Sequence, residues 1–411
     1  MSVNSFDVII VGAGPAGCTA ALFLAGSGSS VALIDRAQFP REIACGDALG
    51  GQVVNILKRM PGEVHTRFRE QVPKTPVSGI RLFSPGYHIL ELPYPSHPAG
   101  TEEPGGYICR RRDFDNFLLS EVRLAGNVCI YEDLWIRGIE KKKDQIHIET
   151  GTYHFRSDIV LGADGVNSVV RKSIGVKQAG RTYGAMAIRG YFRNVTGFHP
   201  GSYIDLYFLH YLLPEYFWIF PETAGTVNAG LGMKNRQISR NKVSLKNLFS
   251  KIIEENPDIS ARFTQAIAVS PLSARELAIS RRIGRVSGDR FLLLGDAARL
   301  VDPFLGDGIG NAMASGEVAA SVLIEHLKLK KEMAVIGKAY EEKLRRRIGP
   351  EHSTGELLHK LAGYPRLLNM IARKAGTNER FRNLLSSALA DESARLRLND
   401  PMLYLRILLN R

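Results

Sequence analysis

The chain has 411 residues, of which 45% are hydrophobic and 23% charged, enough for a sizeable core shared by two intimately joined domains. No apolar run approaches the roughly 18 residues of a spanning helix, because the long apolar stretch from Val8 to Leu33 is broken by glycines. Lys plus Arg is 54 against 41 Asp plus Glu, a formal net charge of +13, and residues 325–411 alone hold 18 basic and 10 acidic side chains. Such a surface favours anionic lipid headgroups, or is simply a solvated helical face. No nucleic-acid module is recognisable, so no nucleic-acid partner is expected.

In chain order, Phe6 to Val11 reads as a strand that begins at once, leaving no room before it for a signal peptide. Gly12-Ala-Gly14-Pro15-Ala16-Gly17 follows, then helical character from Pro15 to Ala25, then a β-branched run from Ser30 to Ile34 ending at Asp35 and Arg36. A strand, glycine loop, helix and second strand closed by an acid form a dinucleotide-binding unit. The glycines let the backbone approach a pyrophosphate, and the helix start offers N–H groups and the positive end of a dipole. Asp35 is placed to accept from ribose hydroxyls. Ile108 to Leu119 reads as a strand entering a helix, with Arg111 at its mouth as a cofactor contact or as solvated surface.

Ser157 to Leu161 is the next strand, leading into Gly162-Ala-Asp164-Gly165, where Asp164 contacts cofactor or fixes its own loop. Phe291 to Leu294 ends at Gly295-Asp296, and Asp302-Pro303 through Gly306, Gly308 and Ile309 leads into a helix with small residues at Ala312, Ala314, Gly316 and Ala319. These three glycine segments, far apart in sequence, fit one flavin adenine dinucleotide, FAD. The predicted fold is therefore α/β: a Rossmann-type FAD-binding domain of residues 1–75, 105–180 and 276–325, interrupted by an inserted substrate domain. That insertion, residues 76–104 and 181–275, shows the aromatic and β-branched alternation of a mixed or antiparallel sheet, with strands near 188–192, 203–209, 216–220 and 227–232. Residues 326–411 read as a helical C-terminal region with breaks near Pro350, Pro365 and Pro401.

The cysteines Cys18, Cys45, Cys109 and Cys129 show neither metal-type spacing nor a paired pattern, so no metal and a reducing, cytoplasmic setting are expected. Cys18, Cys109 and Cys129 sit among apolar neighbours and read as buried small hydrophobes.

The cofactor segments resemble the flavoprotein fold of aromatic hydroxylases, flavin-dependent halogenases and geranylgeranyl reductases. Pro40-Arg41-Glu-Ile-Ala-Cys45-Gly46-Asp47-Ala-Leu-Gly50 resembles the P-x-x-x-x-C-G-x-x-x-G signature of the geranylgeranyl reductases, and Tyr216-Phe-Trp218-Ile-Phe220-Pro221 their Y-x-W-x-F-P signature. The resemblance implies a single FAD and a reductase of isoprenoid double bonds in membrane lipids, isoprenoid diphosphates, chlorophyll precursors or menaquinone. It implies NADPH or a reduced electron-transfer protein as donor. There are departures. Glu222 stands where the family often has a basic residue, which argues against an anionic head group there. Arg299 stands where hydroxylases carry His, and only Trp218 matches the two tryptophans of halogenases.

The expected reaction delivers hydride from reduced flavin to one alkene carbon and a proton to the other. Asp296 is expected to hold ribityl hydroxyls, Pro303 to wall the ring, and the Gly306–Asn311 helix start to face its charged edge. Cys45 and Gly46 are expected in a loop beside the flavin as cofactor contacts, and Cys45 is the candidate proton donor, or else only positions substrate or flavin while a water donates. Tyr216, Trp218 and Phe220, on one strand face, are expected to stabilise developing cation character or to line an apolar tunnel. Attachment to the inner face of an anionic membrane is expected through the basic C-terminal region and Leu403 to Leu409. The rival readings are an FAD-dependent monooxygenase or halogenase and, outside enzymes, a flavin-bearing membrane or nucleic-acid sensor.

Overall fold

The computed structural model describes residues 3–94, 104–176, 184–280, 282–327 and 333–390. Its first sheet has a parallel centre. Val3–Val11 lies between His154–Gly162 and Val31–Ile34, and Val128–Tyr131 and Phe291–Leu293 extend the two sides in the same direction. Val8, Ile9 and Ile10 are fully buried, which is why this strand reads as an unbroken apolar run and not as an alternation. The helices Pro15–Leu24, Arg111–Ala125 and Ile309–Leu327 pack on one another, the first between the other two. Parallel strands end at a common edge. Gly12, Asp35, Asp164 and Gly295 each follow such an end, so one sheet edge receives all of the loops.

The hairpin Ile136–Lys142 and Gln145–Thr150 joins the same sheet against His154–Gly162; the sequence carried no turn signal that singled it out. A small sheet of Ala48–Leu49, Gly106–Ile108 and Thr75–Val77 lies beside it.

The second sheet runs in the order Ile267–Ala268, Ala185–Arg193, Thr226–Lys234, Phe217–Pro221, Tyr203–Tyr207, Gly79–Phe83, Ile89–Pro93. Tyr203–Tyr207 and Gly79–Phe83 pair in parallel while their neighbours pair antiparallel, so the sheet is mixed. Alternation divides its residues. Phe217, Ile219 and Leu231 face a core closed by the helices Leu245–Glu255 and Pro257–Phe263, while Trp218 and Phe220 belong to a separate cluster on the opposite face. Those helices occupy a segment expected to hold strands. Their signal was Ser244 and Asn256, whose side chains accept from the Asn247 and Ile259 N–H groups.

The C-terminal region is helical at Met333–Ala362, Pro365–Thr377 and Glu379–Ala390. Pro365 opens a helix as expected, but Pro350 does not break one; it lies inside Met333–Ala362. Burial of Tyr340, Leu344, Ile348 and His352 on either side of it outweighs the one lost backbone bond. Pro401 and Leu403 to Leu409 lie outside the described residues. Cys18 and Cys109 are buried, but Cys129 is exposed, against expectation, because its strand has a solvent-facing side at that position. Among the described residues no helix is long and apolar enough to cross a membrane.

Gly316 allows the close crossing of the Pro15–Leu24 and Ile309–Leu327 helices. A Cβ there would stand 2.4 Å from the Ala16 carbonyl oxygen. Gly316→Val is expected to destabilise the protein by about 1–3 kcal/mol, seen as a lowered thermal unfolding midpoint; an unchanged midpoint would contradict the crossing.

Candidate functional site

A cavity of about 930 Å³ opens where the loop edge of the first sheet faces the second sheet. Of the residues singled out in the sequence, Gly12, Gly14, Pro15, Ala16, Asp35, Arg36, Cys45, Gly46, Arg111, Asp164, Gly165, Tyr216, Trp218, Phe220, Gly295, Asp296, Pro303, Gly306, Gly308 and Ile309 all line it. Gly17 does not. It is buried behind the loop, where a Cβ would stand 1.8 Å from the Gly12 carbonyl oxygen.

The nucleotide end is built on close backbone approach. Gly12 has φ +105°, and a Cβ there would meet the Ala163 carbonyl oxygen at 2.4 Å, so the first two cofactor segments touch only through glycine. Gly14 caps the Pro15–Leu24 helix without any side-chain bond and Pro15 holds its first turn, leaving the helix start open to an anion. Asp35 accepts from the Ala13 N–H at 2.7 Å and from the Ala37 N–H at 2.8 Å. It thereby shapes the glycine loop as well as facing the cavity. The Arg36 guanidinium lies over the Trp135 ring, 5.2 Å from its centroid.

Arg41 lines the same cavity and was not singled out in the sequence. Arg111 makes two 2.8 Å bonds to Asp115, and Arg41 Nη2 approaches the same carboxylate at 3.1 Å. Two guanidinium groups thus share one buried carboxylate. Arg41 Nη2 also lies 3.5 Å from a Cβ built on Gly14, and Arg41 Nη1 is buried with no partner. A guanidinium with one nitrogen unpaired, near an open helix start, fits a pyrophosphate. The signal was present in the Pro40-Arg41 pair, but nothing local separated Arg41 from the three arginines at 110–112.

Asp164 accepts from Val169 N–H at 2.6 Å and Val170 N–H at 3.3 Å, fixing its own loop, and burial raises its carboxyl above the ordinary range. Its Oδ1 is buried without a partner, an acceptor left for a ligand hydroxyl. At the third segment Asp296 takes a 2.8 Å bond from Arg275. Asp302 accepts from Phe304 N–H and Leu305 N–H at 2.9 and 2.7 Å, and Gly306 turns at φ +68° into the Ile309–Leu327 helix. Pro303 walls the cavity here.

The opposite wall is the aromatic row. The strand begins at Phe217, one residue later than expected, and Tyr216 stands just before it, its hydroxyl donating to the Leu305 carbonyl. Successive ring centroids along Tyr216, Trp218 and Phe220 are 6.4 and 6.1 Å apart. The indole of Trp218 lies on Gly230, where a Cβ would be 2.3 Å from the ring. Gly46 faces both aromatics, its position for a Cβ being 3.4 Å from Phe220 and 3.8 Å from Trp218.

Asn228, fully buried and unmarked in the sequence, joins this row to the Cys45 loop. It accepts from Trp218 Nε1 at 2.9 Å and donates to the Cys45 carbonyl at 2.8 Å and to Asp47 at 2.7 Å. Asp47, at φ +66°, also accepts from the Tyr191 hydroxyl at 2.5 Å and the Arg111 N–H at 3.2 Å. Burial pushes its carboxyl up to about 6, against the hydrogen bonds from Tyr191 and Asn228 that favour the charged form. Cys45 lines the cavity, and burial raises its thiol, so it stays protonated near neutral pH. Glu222 is not an open anion: Arg110 meets it at 2.8 and 2.7 Å, and Thr226 donates to it at 2.7 Å. The acid that departs from the family pattern has its own cation.

The family model described as an FAD binding domain matches residues 5–348. The chain is 26% identical over 363 residues to a digeranylgeranylglycerophospholipid reductase of Thermoplasma acidophilum, covering 85% of this chain and 86% of that protein. It is 28% identical over 385 residues to a menaquinone reductase of Mycobacterium tuberculosis, covering 90% and 87%. A crystal structure of a geranylgeranyl bacteriochlorophyll reductase-like protein from Thermoplasma acidophilum superposes with a TM-score of 0.80 at 23% identity, over 97% of this chain and 100% of that one; this likeness is one of fold.

Replacing Arg41 with Met is expected to weaken FAD binding by roughly tenfold or more, the size of one charged hydrogen bond, measured by flavin release on dilution. Retained affinity would separate Arg41 from the cofactor. Asp47 supplies a pH test. Its folded carboxyl binds a proton more tightly than the unfolded one, so its burial destabilises the fold above about pH 6 and this penalty is relieved as pH falls from 6 toward 4. Asp47→Asn lacks that titration. Relative to wild type, the variant is expected to gain on the order of 2–3 kcal/mol between pH 4 and pH 7, read from paired unfolding curves; parallel pH profiles would refute the raised carboxyl.

Proposed function

This chain belongs to the FAD-binding family whose model spans residues 5–348, and on that premise we propose that it is an FAD-dependent reductase that saturates carbon–carbon double bonds of a geranylgeranyl or longer polyprenyl chain. One observation carries the reading. One cavity is lined both by the segments expected to hold the dinucleotide and by Cys45, Gly46 and the apolar side chains of Trp218, Phe220, Ile80, Ile204, Leu206 and Phe304. A greasy chain fits there and a small polar aromatic does not need it. The names of the reductases matched above point to the same substrate class, prenyl chains attached to a lipid or a quinone.

Bound flavin supplies hydride. The protein supplies place, dryness and a proton. The loop of Gly12, Gly14, Pro15 and Ala16, with Asp35, Arg36, Arg41 and Arg111, would hold the nucleotide half, while Asp164, Gly165, Gly295, Asp296 and Pro303 through Ile309 would hold the ribityl and ring half. An isolated alkene is a poor electrophile, so protonation must assist. Cys45 is half-buried, neutral and within the cavity, and is the proton donor of this reading. Trp218, Tyr216 and Phe220 line the same space, and an aromatic face there stabilises neighbouring cation character by about 0.5–2 kcal/mol. Residues 1–75, 105–180 and 276–325 act as the cofactor domain, 76–104 and 181–275 as the substrate domain.

The substrate dwells in a bilayer, and the excess of 18 basic over 10 acidic residues in 325–411 supports peripheral contact with an anionic membrane. Electrons come from NADPH or from a reduced electron-transfer protein.

Cys45→Ser and Cys45→Ala are expected to retain flavin, judged by visible absorbance, while alkene saturation falls by roughly 100-fold or more. Products are followed by mass spectrometry as gains of about two mass units per bond. Full turnover in both variants would remove the assignment, and absence of any saturated product from wild type with reduced flavin would remove the reductase reading itself.

A further inference from the structure

The cavity has a polar pole that the chemistry above does not use. Beyond Tyr216 it is lined by Glu215, His359 and Glu351. Glu351, Gly355 and His359 recur every four residues on the Met333–Ala362 helix, so they share one face. Gly355 sets that face against the third cofactor segment, a Cβ there being 2.9 Å from Asp302 and 3.1 Å from Pro303. His359 Nε2 meets Glu215 Oε1 at 3.0 Å, and Lys234 Nζ meets His359 Nδ1 at 3.1 Å. An ammonium has only protons to give. Lys234 therefore donates to Nδ1, which makes Nε2 the protonated nitrogen and the donor to Glu215. The string aims a carboxylate at the cavity, and Glu215 Oε2 is buried with no partner.

An acceptor so placed calls for a ligand that donates. The surrounding charges refuse an anion. Glu351 lies 3.7 Å from Arg347, and Asp302 and Asp307 are the acids felt by the adjoining Tyr216 hydroxyl together with Glu215. Arg299 is paired with Glu276 and Arg275 with Asp296, while Lys234 is bonded to His359 Nδ1 and does not line the cavity. The apolar row of Tyr216, Trp218 and Phe220 leads from this pole toward Gly46 and Cys45.

We propose that the Glu215 carboxylate, oriented by His359 and Lys234, receives the polar end of the substrate and selects an uncharged end bearing a hydroxyl over one bearing phosphate or diphosphate. This rests on the polyprenyl-reductase reading and adds to it the chemical class of the chain's end. The hydroxyl donates to the carboxylate, satisfying a buried acceptor; a methyl ether leaves it unsatisfied, and a diphosphate meets like charge.

The test is equilibrium binding to the oxidised, flavin-loaded protein by isothermal titration calorimetry, with geranylgeraniol, its methyl ether and geranylgeranyl diphosphate as probes. Wild type is expected to bind the alcohol on the order of tenfold more tightly than either competitor. Glu215→Gln is expected to bring alcohol and ether within about threefold and to tighten the diphosphate several-fold. Glu215→Asp keeps the charge but shortens the reach, so the alcohol weakens while the diphosphate stays excluded. Flavin content and circular dichroism identify a variant that has not folded, and the wild-type ranking then decides alone. Equal affinity of wild type for alcohol and ether, tighter binding of the diphosphate, or an unchanged ranking in folded Glu215→Gln each overturns the proposal. Failure of all three probes to bind overturns the polyprenyl reading along with it.

Discussion

One buried carboxamide ties the site together. Asn228 has two N–H donors and one carbonyl acceptor, and all three are engaged: the Cys45 carbonyl, the Asp47 carboxylate and the Trp218 indole N–H. The residues it joins come from a loop after the second strand of the first sheet and from two strands of the second sheet. A polar group buried without partners is costly, so the three contacts stand or fall as a set. Their geometry seats the Cys45–Gly46 loop against the aromatic row, with a Cβ at Gly46 standing 3.4 Å from Phe220 and 3.8 Å from Trp218.

The same network explains two features that look unfavourable in isolation. Asp47 is a fully buried acid at positive φ, yet it anchors Tyr191, Asn228 and the start of the Arg111–Ala125 helix. Through that helix it also sets Arg111, and hence Asp115 and Arg41, over the nucleotide end. The two halves of the cavity are thus held by one continuous set of charged and hydrogen-bonded groups. Glycine performs the complementary task, since Gly12, Gly17, Gly230 and Gly316 each occupy a place where a Cβ would overlap a neighbour by an ångström or more.

Much of the cavity lining was legible before any coordinates. A strand ending in a glycine loop and a helix has a local signature, because the backbone conformation itself demands those residues. The cavity accordingly gathers the singled-out residues with the exception of Gly17, which lets its helix pack against the Gly12 loop. The aromatic row was legible through the period of two of a strand. Local propensity misled where tertiary packing overruled it. Pro350 sits inside a helix held on both sides by buried neighbours, and Cys129 faces solvent although its neighbours are apolar.

What the sequence determined by itself was the class of fold, the cofactor and the identity of the loops that carry chemistry, because each depends on short-range constraints written in adjacent residues. Only the tertiary structure decided which polar groups meet. Asn228 with Cys45, Arg41 with Asp115, Glu222 with Arg110, and Glu215 with His359 are separated by between 74 and 183 positions for every pair. Each is an ordinary residue in its own neighbourhood. Their partnership follows from strand order and helix docking, and hydrogen bonds over such separations leave no period or spacing along the chain.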